Sequence, residues 1–258
     1  MNTRRLISLA LPVAGLLGFL GAWALASSHL RNAILLPGPR VVAYGFIDLV
    51  RDSSFWSDVG ASLQRVIVGF LGATLLAIPL ALTLAFFRAA RGALVPVISL
   101  LRPIPPIAWI PMAILWFGLG DKPSYFITGI AAFFPIFLNV YSGGLAVESE
   151  HVYAARCLGA SRWALIRCIY LPSTLPLVWT GLRIGLGQAW MAVVTAELIA
   201  AHSGLGFFIQ ISRTNLETPN VLVGMLVIGV IGSLMTAALN WGERWVIPWR
   251  RLESKTHS

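Results

Sequence analysis

Four stretches of this chain, Leu6 to Ala26, Val66 to Phe87, Pro123 to Val147 and Thr218 to Gly242, each run for more than twenty residues without a charged side chain. A run of about 20 apolar residues is what a helix needs to cross the hydrocarbon of a bilayer. Two further stretches reach that length with isolated charges: Ala93 to Gly120 carries Arg102, and Ser173 to Ala200 carries Arg183 and, near its end, Glu197. Lipid offers the backbone no hydrogen-bond partner, so each stretch must satisfy its own amides by folding as a helix. The expectation is an all-α integral membrane protein with six transmembrane helices.

Composition agrees, with 57% hydrophobic and 11% charged residues. The excess of 19 Lys+Arg over 10 Asp+Glu does not form a continuous basic face, which argues against nucleic acid as a partner. It is explained by orientation. With both termini cytoplasmic, the inner segments hold eleven basic residues and the outer segments six, four of the six in one long loop that weighs little in the positive-inside rule. Ala24-Leu25-Ala26 resembles a signal-peptidase site, but the apolar run before it is longer than the ~7–15 residues of a signal peptide, so it reads as a retained span. Cys157 and Cys168 both fall in an inner segment, where a reducing cytoplasm disfavours a disulfide; they read as small apolar filler.

There is no internal repeat and no low-complexity linker, so residues 1–258 read as one transmembrane domain. The outer loop, about 27–64, is the longest polar insertion. After Pro39 its residues Val41, Val42, Phe46, Leu49 and Val50 recur at helical spacing, predicting an amphipathic helix lying along the membrane or along the protein's outer rim. The third span opens with LLRPIPPIAWIP, whose prolines 103, 105, 106 and 111 forbid a regular helix. Irregular backbone at membrane depth lines a cavity or is buried by protein, which makes Arg102 and Pro105 candidates for a pathway wall or hinge. The alternative is a kinked helix start with Arg102 reaching for headgroups. In the fifth span Gly181, Gly185 and the offset Gly187 permit close helix approach. Gln188, Arg183 and Glu197 add polar groups to that span. Either arginine is a candidate to draw an anion, or to pair with backbone carbonyls or with Glu197. Glu197 itself reads as a pathway group or as a carboxylate at the outer interface.

Between the fourth and fifth spans lies a cytoplasmic segment, about 148–172, containing AARCLGASRWALIRCIYLP. From Val152 onward Ala155, Leu158, Leu165 and Ile169 form an apolar face, while Arg156, Arg162 and Arg167 project elsewhere. Gly159 permits a break between two short helices, and Pro172 ends the segment at the membrane face. Too polar for lipid and too apolar for water, it calls for a protein partner.

Gly159, then nine residues, then Ile169-x-Leu171-Pro172, preceded by Ala154-Ala155, resembles the EAA loop of permease subunits in binding-protein-dependent ATP-binding-cassette (ABC) importers. The segments RPIPPIAWIP with WFGLG, LPSTLPLVWTGLRIGLGQAW, AELIAAHSGLG and LLPGPRVV are similar to the nitrate, sulfonate and taurine branch, over roughly residues 35 to 250. Tyr153 departs from the pattern, standing where glutamate is usual. The resemblance implies a type I importer permease fold and a homodimer in the bacterial inner membrane. It further implies two cytoplasmic ATPase subunits and an extracytoplasmic substrate-binding protein. The loop would be a coupling helix in a groove of the ATPase, with Ala154, Ala155, Gly159 and Ala160 small enough for close approach and Leu158, Ser161 and Arg162 as docking contacts. The implied cargo is taurine or another aliphatic sulfonate, with nitrate or a similar oxyanion next.

The chain has no Gly-x4-Gly-Lys-Ser/Thr stretch, so no phosphate cradle is expected, and ATP with its Mg would sit on the partner ATPase. Its histidines, at 29, 151, 202 and 257, are too far apart in topology for a metal cluster or a nucleophile with its base. The lack of a repeat and of several intramembrane carboxylates argues against an ion-coupled carrier.

Overall fold

The computed structural model describes residues 3–30, 32, 34–147 and 149–248. Arg31, Glu148 and the C-terminal Arg250, Arg251 and Lys255 of the charge count lie outside these residues. Among the described residues the secondary structure is entirely helical. The elements are α1 (Thr3–Leu30), α2 (Pro39–Val50), α3 (Ser53–Phe86), α4 (Arg88–Leu101), a 3-10 turn (Pro106–Trp109), α5 (Ile110–Phe117) and α6 (Asp121–Leu145). They continue with α7 (Ser149–Cys157), α8 (Arg162–Leu165), a π-helical stretch (Ile166–Tyr170), α9 (Leu171–Ala200), α10 (Leu205–Thr214) and α11 (Thr218–Val246).

Four helical stretches are long and apolar enough to span: Ser53–Phe86, Asp121–Leu145, Trp163–Ala200 and Thr218–Val246. α1 covers the first expected span. The third expected span is not one rod: α4 and the 3-10/α5 piece meet at 92°. Prolines 103, 105 and 106 occupy the corner, where their missing N–H groups leave no ladder to continue, and Pro111 restarts the helix in the first turn of α5, where no donor is needed.

The body is the packed trio α3, α6 and α9, with α11 alongside. In lipid, contact between helices comes from close packing of small residues rather than from escape from water. A Cβ on Gly185 of α9 would lie 2.8 Å from Ile136 Cγ1 of α6, and one on Gly69 of α3 would lie 2.7 Å from Thr128 Cβ. Gly181 joins Gly185 in this contact, whereas Gly187 has nothing within 4 Å and takes no part. The fully buried Val66, Ala77, Ile136, Phe137, Val140 and Val193 fill the space between the three helices.

α2 is the amphipathic helix expected after Pro39, with Val42 buried and Tyr44 exposed. It packs on α11, and α3 follows after Asp52, whose carboxylate accepts from the Ser54 N–H at 2.9 Å and caps the helix. α1 stands off the body: Leu11, Leu16, Phe19 and Leu25 are exposed, and Trp23 Nε1 donates to the Pro37 carbonyl at 3.1 Å.

Candidate functional site

Two regions of the molecule are built with more than packing in mind: an elbow at one end of α9 and a knot of charge at the other. The elbow follows from three residues, Gly159, Ala160 and Ser161. α7 ends because Gly159 adopts φ +80°, a left-handed conformation that costs a residue with a Cβ about 1–2 kcal/mol. Gly159 N–H then donates to Arg156 O at 2.9 Å and Ala160 N–H to Ala155 O at 3.0 Å, the paired bonds of a Schellman stop. Two residues on, Ser161 starts the next helix, its hydroxyl accepting from Ala164 N–H at 3.2 Å.

What the elbow presents is apolar. Leu158 is 89% exposed and Trp163 71%, beside the exposed Tyr153 and Ala154. The expected single greasy face is in fact divided. Val152 and Leu165 are buried, while Leu158 points outward, because the reversal at Gly159 turns the chain between them. Ala155 and Ala160 are half-buried beneath the tip. Arg162 opens α8, and its side chain lies outside the described ones.

One expectation is corrected. Pro172 does not end the segment: the helix runs unbroken from Trp163 to Ala200. The proline stands in the first turn of α9, and the wide turns of the π stretch Ile166–Tyr170 make room for its ring against the preceding carbonyls. Tyr170 packs edge-on against Phe86 at 4.6 Å, joining this stretch to the end of α3. The elbow is therefore continuous with the fifth span.

At the far end of α9, Glu197 is 1% exposed and Arg65 of α3 is 2% exposed, a depth at which an unpaired charge would be prohibitive. Arg65 Nη1 donates to Glu197 Oε1 at 2.6 Å and to the Ser203 carbonyl at 2.7 Å. Its Nη2 donates to Asp121 Oδ1 and to Ser203 Oγ, each at 2.6 Å, and its Nε to Asp121 Oδ1 at 2.9 Å. The second oxygen of Glu197 accepts from Gly206 N–H at 3.0 Å, and Ser62 Oγ lies 2.8 Å from both carboxylate oxygens. Asp58 accepts from Gly204 N–H at 2.7 Å. One guanidinium thus ties α3, the start of α6, the end of α9 and the loop into α10.

Gly204 makes this closure possible, with φ +105° and a position where an added Cβ would collide with the Glu197 carboxyl and with Arg65 Nη1. Gly204→Ala is expected to destabilise the protein by about 2–4 kcal/mol, from backbone strain together with displacement of the ion pair. Loss of thermal stability in detergent checks this, and an unchanged midpoint would contradict the geometry.

The structure separates the candidate pathway residues. Arg102 and Gln188 line one cavity of about 380 Å³, together with Pro106, Pro135 and Asn139. Pro105 lies in the same proline corner. Glu197 belongs to the knot, and Arg183 pairs with Glu243 of α11 rather than with Glu197. Apart from Glu197, the residues of the knot went unrecognised in the sequence, and so did Asn139. Arg65 counted among the basic residues of the outer segments, although its position one residue before a charge-free run was the available signal; Asn139 gave none. Among the described residues no group of His, Cys, Asp and Glu is placed to hold a metal ion.

Comparison with known proteins agrees with this architecture. Residues 73–252 match the family described as binding-protein-dependent transport system inner membrane component. The taurine transport system permease protein of Escherichia coli (strain K12) is 36% identical over 232 residues, 88% of this chain and 84% of that protein. The bicarbonate transport system permease protein of Synechococcus elongatus (strain ATCC 33912) is 31% identical over 257 residues, 95% of this chain and 91% of that protein. An inward-facing structure of the MetNI methionine ABC transporter shares the fold, with a TM-score of 0.57 at 21% identity over 72% of this chain and 96% of that one. The chain belongs to the family of binding-protein-dependent transport system inner membrane components: it is a multi-pass permease subunit of an ABC importer, and ATP hydrolysis resides on a separate subunit.

Proposed function

We propose that this chain forms, as a homodimer, the translocation pathway for a small anion, taurine or another aliphatic sulfonate. It works with two cytoplasmic ATPases that hold ATP and Mg and with an extracytoplasmic substrate-binding protein, and both its termini are cytoplasmic. The observation that carries this reading is the elbow: an exposed apolar tip at Leu158, set by Gly159 and Ser161, on a helix continuous with the fifth span. Ala154, Ala155, Leu158, Gly159, Ala160, Ser161 and Arg162 make up the surface that meets the ATPase. Closure of the two ATPases displaces the elbow, and α9 transmits that displacement to α6, against which it packs most extensively.

The anion pathway runs by the cavity of Arg102, Asn139 and Gln188. Among the described residues Arg102 makes no ion pair, so its charge is available to a passing sulfonate, while the two amides supply neutral donors. The taurine relative supports the sulfonate assignment. In proteoliposomes with the ATPase and binding protein, Arg102→Gln is expected to reduce taurine uptake by about tenfold or more, the loss of one charge-assisted contact, while basal ATP hydrolysis persists. Uptake at the parental rate would remove Arg102 from the pathway. Affinity purification from native membranes tests the class itself: a co-purifying ATPase is expected, and an isolated chain that transports on its own would overturn the reading.

A further inference from the structure

One cavity lies on neither the elbow nor the anion pathway. It is a groove of about 600 Å³ along the seam between α3 and α6, walled by the bent α4–α5 pair. Its lining is apolar and aromatic, including Leu76, Trp109, Phe126 and Phe133, and its floor is opened by Gly72, beside which nothing lies within 4 Å. Polarity is confined to one end. There Lys122 and Tyr125 line it, where α6 begins. Among the described residues Lys122 makes no ion pair, since its neighbour Asp121 is engaged by Arg65. The Tyr125 hydroxyl accepts from Gln64 Nε2 at 3.4 Å, which leaves its own hydrogen to donate.

From this arrangement we propose that the groove is a binding site for one anionic glycerophospholipid, an acyl chain lying over Gly72 and the headgroup phosphate on Lys122 and Tyr125. The length of the groove suits this occupant. From Lys122 to Phe134 the groove follows α6 for about 18 Å at ~1.5 Å per residue, a length suited to an acyl chain. Charge selects the headgroup, because a cation and a hydroxyl donor at the rim of an apolar slot, at the end of a span, are complementary to a lipid phosphate. The bound lipid fills the seam beside the α4–α5 corner and so forms part of the permease's packed surface.

The test uses the assembled transporter, purified in detergent, with retained phospholipid quantified by mass spectrometry. The parent should hold about one phosphatidylglycerol per chain through extended washing. Gly72→Leu, whose side chain enters open space, should lower that retention at least threefold while the ATPase still co-purifies. Lys122→Gln, which leaves the groove intact, should lose the preference for phosphatidylglycerol over phosphatidylcholine in nanodiscs made from equal parts of the two. Equal retention by parent and Gly72→Leu would overturn the proposal, as would an unchanged headgroup preference in Lys122→Gln. A disulfide between cysteines placed at Gly72 and at Phe19 of a second copy would also overturn it, by putting another chain's α1 in the groove.

Discussion

Arg65→Leu is expected to lower the stability of the permease by about 3–5 kcal/mol, the usual consequence of stripping one partner from a buried ion pair. The variant leaves Glu197, 1% exposed, facing only Ser62 and the Gly206 amide. Asp121, whose side chain is 56% exposed, loses the same partner at little cost because water replaces it. Ser203 loses both of its bonds to the guanidinium, so the loop into α10 is freed as well. The half-inactivation temperature of the purified complex should fall by about 10 °C. The second half of the prediction separates charge from shape. Glu197→Gln keeps an oxygen for the Gly206 amide while removing the uncompensated charge, so the double variant should be more stable than the sum of the single losses by about 2 kcal/mol. Additive losses would mean that the knot is not held by the Arg65–Glu197 attraction.

Leu158→Asp is expected to act oppositely, abolishing transport while leaving the fold alone. A side chain 89% exposed contributes almost nothing to the packing of its own chain, so the thermal midpoint should not move. A carboxylate at the centre of an apolar contact must be desolvated without a partner, at about 2–5 kcal/mol, which corresponds to a loss of at least tenfold in ATPase association. Taurine uptake in proteoliposomes should drop to background, and the ATPase should fail to co-purify. Gly159→Val provides a second route to the same outcome. A β-branched residue at φ +80° is strained, so the elbow must re-form with a different direction. Uptake at parental levels in both variants would remove the elbow from the coupling mechanism.

The spans and the elbow were legible because each depends on local rules. Charge-free runs of membrane length must be helical wherever they pack. Gly159 followed by Ser161 stops one helix and caps the next through bonds made within ten residues, from Ala155 to Ala164, so spacing alone carries the information. The proline cluster announced a break in the third span for the same reason, although its angle was not readable from the residues.

The pairing of charges was decided elsewhere. Glu197 meets an arginine 132 positions away, and Arg183 meets a glutamate 60 positions away. Neither distance in sequence carries any periodic signal, and the sequence alone allowed Arg102 and Arg183 as partners for Glu197 with equal ease. Only the close approach of α3 and α9 to α6, permitted by glycines such as Gly69 and Gly185, brings those helices together. Only the left-handed turn at Gly204 folds the following loop back over the knot. Local chemistry determined that the chain crosses the membrane as helices and where it bends. Three-dimensional packing determined which charges are buried against each other, because a buried charge must find its partner in space wherever the chain has placed it.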